Sequence, residues 1–579
     1  MRESYRGLLF LLFFFYILVL PLFLLCGFDQ DEINAIYKKC LVADFKDGPI
    51  FSDDWCGKSL AERNKYLFFE TISQPLPPQY SIEIGDIRVP IYIWFHASSI
   101  VYNLQDLMLY LAEKIDRQNF TLKLVFVKLP GLLFSSLTLV ALYILAKIFG
   151  VSPLVATGFT LILGIFIFAS GVGIGLIYTF TFLILTLSLV AFFRRRFLLF
   201  FVLVFIGVYF YLPSAIFFAS FILSVFLLRY VSLRFLLLSG LVIALAFLPY
   251  TIPVLDFGMG QPEKRIFGGV FQNNILSLFL ILKKSNQVIF SFCDKNIFCF
   301  LIAKFILFFE DLFGFFSFYG TGVGLLLNYV PPSNILYYLP SIPFIFIFVI
   351  FLSVFRKLES EGKIVGLSIL IFFIFQLVSF PFGLTPRRMG LILPFLSLLP
   401  ALMIKSTVIH GRKYYFSVFL LLMHFIGQFF IYYNMVKELI SYGRFDFCVD
   451  QRIQRELAKK IEEDGEDKFV NISGVVNFQI LFSNDSKIPD YGYYFGFIRD
   501  FGGLEREDSR NSDFKNFEEL REDFAKKKLK DIMLYHRGKK FIFQDASSDF
   551  IFSADIFSLG IRISSIPERN PIYYIVELE

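Results

Sequence analysis

The sequence predicts a polytopic α-helical membrane protein: about eleven transmembrane helices, interfacial helices in the first outer loop, and a carboxy-terminal extracytoplasmic α/β domain. Three observations predict it. The 579 residues are 56% hydrophobic, 19% aromatic and only 18% charged, too apolar for a soluble chain of ordinary composition. The apolar residues, among them 80 Phe, fall into continuous runs of about 18 to 25 residues, the length that crosses a hydrocarbon core, and not into the short alternating strands of a barrel. Short basic loops separate those runs, as the positive-inside rule requires.

The elements follow in order. Residues 7–27, after Arg2 and Arg6, read as a signal anchor with the amino terminus inside; the run is long for a cleaved signal and has no clean small-residue cleavage site. A mixed segment, 28–121, forms the first outer loop. It carries Pro75, Pro77, Pro78 and Pro90, and its amphipathic end, Ile91 to Ile115, fits the membrane surface better than the core. Spans are expected at 122–149, 152–170 and 173–193, as a hairpin over 197–228 broken near Pro213, and at 235–254. A second outer loop, 255–337, contains a stretch from Phe298 to Phe318 that reads as re-entrant or as a helix pair. Four further spans at 338–355, 364–382, 389–404 and 415–434 complete a membrane domain of residues 1–437.

Lys147, the run Arg194 to Arg196, Arg229 with Arg234, Arg356 with Lys357 and Lys363, and Arg412 with Lys413 then all lie inside. The net charge of +6 is absorbed by these helix ends, and no nucleic-acid motif accompanies it, so no nucleic-acid partner is expected. An odd number of spans puts residues 438–579 outside. There, helical patterns (Gln451 to Glu463, Asn516 to Lys528) alternate with β-rich runs (Phe469 to Val475, Asp531 to Tyr535, Lys540 to Phe543, Ile572 to Leu578), the pattern of a small α/β layer. Cys40 with Cys56, and Cys293 with Cys299, share outer loops. They can pair in an oxidising compartment or remain free thiols. Asn119, Asn471 and Asn484 open outer-side glycosylation sequons.

The densest chemistry lies just past the first span. Asp29, Asp31 and Glu32 crowd three carboxylates into four residues; mutual repulsion and partial burial raise the pKa of such groups, and one held beside a hydroxyl can act as a general base. The same residues are good helix N-caps. Asp29 and Asp31 also have the spacing of short acidic clusters that hold divalent cations, yet no obligatory metal or other cofactor is expected. Lys128, Arg387 and Arg388 lie at outer ends of spans, with Lys264 and Arg265 as second choices; each can hold a phosphate or simply snorkel. The four histidines are too scattered for a zinc site. Gly171 to Gly175 and Gly320 to Gly324 lack the context of a phosphate loop.

Several segments carry a family resemblance. The Asp31-Glu32 pair after the first span resembles the acidic motif of the GT-C membrane glycosyltransferases, in particular the protein O-mannosyltransferase and aminoarabinose lipid A transferase group. Arg88-Val-Pro-Ile-Tyr92-Ile-Trp94, with His96 close by, looks like the proline-aromatic segment before their second span. Lys128-Leu-Pro-Gly through Lys147-Ile-Phe-Gly150 resembles that span, and Pro386-Arg387-Arg388-Met-Gly resembles the start of a late one. After Asp31-Glu32 the family's aromatic or basic residue is replaced by Ile33-Asn34-Ala35, which bears on the acceptor more than on the donor.

The resemblance implies a glycosyltransferase of the cell membrane that moves a hexosyl or pentosyl group from a polyisoprenyl-phosphate donor to a hydroxyl of a protein, lipid or glycan. Transfer would invert the anomeric centre on the extracytoplasmic face. Asp31 would serve as base, with Glu32 or Asp29 beside it, and Lys128, Arg387, Arg388, Lys264, Arg265, Arg88, Tyr92 and His96 as substrate-binding candidates. The alternatives are a lipid-linked sugar transporter or flippase, against which stand the absence of an internal repeat and the placement of the acidic residues in a loop, and an O-antigen polymerase or ligase type of transferase, which places its long loop late.

Overall fold

A computed structural model describes residues 2–25, 81–84, 87–90, 119–163, 176–257, 341–379, 390–405, 412–442, 444–445, 448–472, 488, 529–544, 559–567 and 573–578, with scattered positions in 104–116 and 296–305. The chain divides into two compact units: Met1–Phe23, Tyr92–Val101 and Lys128–Lys437 form the first, and Leu24–Ile91, Tyr102–Val127 and Glu438–Glu579 the second.

The first unit is helical. It is built from α1 (Arg2–Leu25), most of α2 (Phe120–Ile148), α3 (Pro153–Leu163), α4 (Leu176–Phe193), α5 (Phe197–Phe210), α6 (Ser214–Leu227), α7 (Leu233–Phe257), α8 (Ser341–Val354), α9 (Ser360–Ser379), the short α10 (Leu393–Leu396) and α11 (Leu398–Lys405), and most of α12 (Arg412–Tyr442). Among the described residues three stretches, Arg6–Leu25, Phe120–Ile148 and Tyr415–Asn434, are long and apolar enough to cross a membrane, and shorter apolar helices accompany them. These are the helices of a membrane protein. The three long ones are tied together by hydroxyls: Tyr16 of α1 meets Ser136 of α2 at 2.9 Å, and Tyr432 of α12 donates to the carbonyl of Leu18 in α1.

The expected hairpin over 197–228 is present as α5 and α6. Pro213 separates them, because its ring cannot continue a helix, and the elbow residues Tyr211 and Leu212 are buried. Each helix has 14 residues, roughly 21 Å of rise, which is short of a hydrocarbon core of about 30 Å. The other ends of these helices gather around one ring. Phe192 of α4 lies 4.8 Å from Phe221 of α6, 5.4 Å from Phe200 of α5 and 5.7 Å from Phe235 of α7. The basic turns at 194–196 and 229–232 therefore share one end of the bundle. Phe149 at the end of α2 meets Phe193 at 4.7 Å, and Lys405 reaches both the Phe149 carbonyl and Glu359, each at 3.2 Å, bringing the α8–α9 turn to that end as well.

Three of these turns use the same closure. The N–H of Val151, Arg196 and Tyr230 bonds the carbonyl five residues back, that of Gly150, Arg195 and Arg229 the carbonyl three back, and the latter three residues hold φ near +60°. This is the helix-ending motif that glycine usually occupies; here arginine occupies it twice. Close packing elsewhere demands glycine: a Cβ on Gly366 of α9 would lie 2.7 Å from the Phe355 ring and 2.8 Å from that of Phe351.

In the second unit β1 (Ser81–Ile84) and β2 (Ile87–Pro90) form an antiparallel hairpin, and β3 (Arg444–Phe445) pairs with β4 (Cys448–Val449). A four-stranded mixed sheet has the order β5-β6-β8-β7, with β5 (Phe469–Asn471) parallel to β6 (Lys540–Gln544), and β8 (Tyr573–Leu578) antiparallel to both β6 and β7 (Ile561–Ile566). Alternation along the strands feeds two cores. Ile542 and Ile575 meet Ile453, Leu457 and Ile461 of α13 (Gln451–Asp464) on one face; Phe541, Phe543 and Val576 meet Leu529, Ile532 and Met533 on the other. Residues 531–535, expected as β-rich, are thus helical: Leu529, Ile532 and Met533 are buried at helical spacing, and covering the sheet outweighs the strand propensity of Ile and Tyr. Within this unit α13 also holds the first turn of α2, through Arg455 above the Phe120 ring at 5.6 Å and its bond to the Thr121 hydroxyl.

Candidate functional site

Lys128 is the predicted site residue whose side chain the structure places. It sits in the third turn of α2, roughly 12 Å along the axis from the first residue. The helix begins at an Asn119 cap, whose carboxamide oxygen accepts from the Leu122 N–H at 3.0 Å. It then presents two faces. Leu129, Leu133 and Leu137 recur at every fourth position and are 43%, 54% and 42% exposed, the outward stripe of a helix that faces lipid. Lys128 lies across the helix from that stripe, with Gly131, Ser135, Thr138 and Leu142, and is 1% exposed. The hydroxyls of that face bond back to their own helix, Ser135 to the Gly131 carbonyl at 2.8 Å and Thr138 to that of Phe134 at 2.7 Å. Lys128 thus shares its buried face with hydroxyls that bond within their own helix. A cation on the inward face of an apolar helix is expensive and marks function by default.

Arg88 lies in β2, its Cα in register with that of Glu83. Asp29, Asp31, Glu32, Tyr92, His96, Lys264, Arg265, Arg387 and Arg388 lie outside the described residues. Among the described residues no group of three or more His, Cys, Asp or Glu is disposed to hold a metal ion. Cys299 is disulfide-bonded.

Two polar features escaped the sequence reading. Lys123, five residues before Lys128 in α2, is fully buried. On α12 the buried face consists of Ser417, Leu420, His424, Gln428 and Tyr432, while Phe419, Leu422, Ile426, Phe429, Phe430 and Tyr433 face outward. A candidate span thus turns its polar stripe inward. The signal was present in the i, i+4, i+8 spacing of His424, Gln428 and Tyr432 inside an apolar run, and reading the histidines one at a time hid it. Compared with known protein families and with curated proteins, the sequence matches none.

Proposed function

We propose that the chain is a membrane glycosyltransferase that takes a sugar from a polyisoprenyl-phosphate donor and gives it to an acceptor hydroxyl at the outer membrane face. The observation that supports it is Lys128, a buried cation on a helix long and apolar enough to cross a membrane, in the very segment that resembles the second span of the GT-C enzymes. A lipid phosphate arriving between helices is a strong acceptor for such an ammonium where water is scarce. In this reading Asp31 takes the acceptor proton and the acceptor oxygen attacks the anomeric carbon. The bond from that carbon to the phosphate oxygen breaks with inversion, and the polyisoprenyl phosphate leaves against Lys128 and the basic pair Arg387 and Arg388. About eleven spans, an inner amino terminus and an outer carboxy-terminal domain complete the topology. The gathering of the basic turns at one end of the bundle supports that sidedness.

The test incubates the purified full-length protein with a panel of polyisoprenyl-phosphate sugars and measures donor binding and slow donor hydrolysis. Lys128→Met should weaken donor binding about tenfold to a hundredfold, the worth of a charged hydrogen bond. Asp31→Asn should bind donor and fail to transfer. Binding to no donor, together with vectorial movement of a lipid-linked sugar across liposomes, would replace this reading by a transporter.

A further inference from the structure

The carboxy-terminal domain carries a basic-aromatic corner that the reaction does not use. Leu529, Ile532 and Met533 seal one face of the sheet, so the same helical residues must turn Lys530, Asp531, Leu534 and Tyr535 away from it. Leu534 is 45% and Tyr535 74% exposed, next to each other on the outward side of the helical turn that covers the sheet. The chain then reverses through His536, Arg537 and Gly538, the last at φ +90° with open space where a Cβ would stand, and enters β6. The His536 ring lies edge-on to Tyr535 at 4.8 Å. Charge on this corner is one-sided. Lys540 is committed to Asp464 and Glu577, each at 2.9 Å, whereas Lys530, Arg537 and Lys539 make no ion pair among the described residues, and Asp531 is the single acid between 526 and 540. In sequence, Lys526, Lys527 and Lys528 precede the helix.

We propose that this corner, Lys530, Leu534, Tyr535, Arg537 and Lys539, docks the domain onto the anionic surface of a lipid bilayer. Lipid is the occupant the chemistry fits best. A tyrosine with an apolar ring and a polar tip suits the headgroup layer, a leucine beside it gives apolar area to the acyl boundary, and the flanking cations meet phosphate-bearing headgroups. A chain whose other helices are built to cross a membrane has such a surface at hand. A soluble polyanion would use the cations and leave Leu534 and Tyr535 in water.

The experiment places the full-length Tyr535→Trp protein in lipid nanodiscs, of phosphatidylcholine alone or with phosphatidylglycerol, and subtracts the emission of the parent, whose only other tryptophans are Trp55 and Trp94. Because position 535 is largely exposed, the substitution removes no core contact. Expected in the anionic discs are a blue shift and loss of emission to brominated acyl chains, both reduced to the neutral-disc level when Lys530, Arg537 and Lys539 are replaced by Gln. Water-exposed emission in both kinds of disc overturns the proposal. So does a response to added heparin that anionic lipid does not produce, which would assign the corner to a soluble polyanion.

Discussion

The Tyr432 hydroxyl donates to the backbone carbonyl of Leu18, so a side chain of α12 adds a bond to α1 beside the Ile17 carbonyl, the one that Pro21 leaves without its helical donor. Proline brings no N–H and strains the turn before it. Such a turn persists in a membrane helix where a neighbouring helix supplies a bond. Tyr432→Phe keeps the ring and removes the donor. It should cost about 0.6 to 2 kcal/mol, the range of interhelical hydrogen bonds in membranes, read as a lower unfolding midpoint in mixed micelles. A midpoint equal to the parent's would deny the bond any role.

Asp450 caps α13. Its carboxylate accepts from the Arg452 N–H at 2.8 Å and from the Arg452 Nε at 2.9 Å, while 1% of it is exposed. Asp450→Ala should cost about 1 to 2 kcal/mol, and Asp450→Asn, which keeps an acceptor, less. Hydrogen exchange at the first turn of α13 separates the two; equal protection in both variants would remove the cap from the account.

Gly366→Ala puts a methyl within 2.7 to 2.9 Å of the Phe355 and Phe351 rings. The rings must move, and overpacking of this kind costs about 1 to 3 kcal/mol. The outcome should be a less stable protein, partly rescued by Phe355→Leu. A stable Gly366→Ala protein would mean the rings yield freely.

The sheet should lose protection at both ends of the pH scale. The hydrogen bond from Lys540, then the positive charges of Lys540, Lys460 and Lys468, hold the Asp464 carboxyl below its ordinary 3.8. Its stabilising contribution is complete above that value and disappears as pH falls through the lowered one. The bonds to Glu577 and Asp464 hold Lys540 above its ordinary 10.5, so its contribution is complete below 10.5 and is lost as pH rises through the raised value. Protection factors of the amides along β6 and β8, taken relative to the intrinsic exchange rate at each pH, should therefore be flat between these limits and fall outside them. In Lys540→Met the acid limb should move upward, toward the ordinary carboxylate range; an unmoved limb would disconnect Asp464 from Lys540.

Arg195 and Arg229 hold φ of 58° in turns, a conformation that costs a side-chain residue about 1 kcal/mol relative to glycine. Arg195→Gly should relieve that strain yet remove a charge that, in the proposed topology, orients the neighbouring helices. The expected result is a protein of equal or greater stability with more inverted molecules, counted by cysteine accessibility from either side of the membrane. Lower stability would contradict the strain argument.

Much of the helical layout was legible because its signals are local. Pro213 announces the break between α5 and α6, and the basic turns announce where helices end. The carboxy-terminal sheet was harder. Ile561 to Ile566 alternates too weakly to stand out, since Arg562, Ser564 and Ser565 dilute it, and its pairing with β8 depends on residues that come later. The run from Asp531 to Tyr535 was misread because Ile and Tyr favour strands, while the need to cover Phe541, Phe543 and Val576 is written in a different part of the chain. At the candidate site the position of Lys128 could be read from the segment around it. Its burial, and that of Lys123, His424 and Gln428, depends on which helices come together, and no local pattern states that.

The ring of Phe192 touches α5, α6 and α7, all delivered within a short stretch of synthesis, so this cluster can close before the rest of the chain exists. One turn earlier on the same face of α6 the partner comes late. Phe217 stacks on Phe395 at 5.0 Å, a partner that leaves the ribosome on the order of ten seconds later. Until α9 and α10 arrive Phe217 lacks that neighbour, so its burial is a late step of assembly.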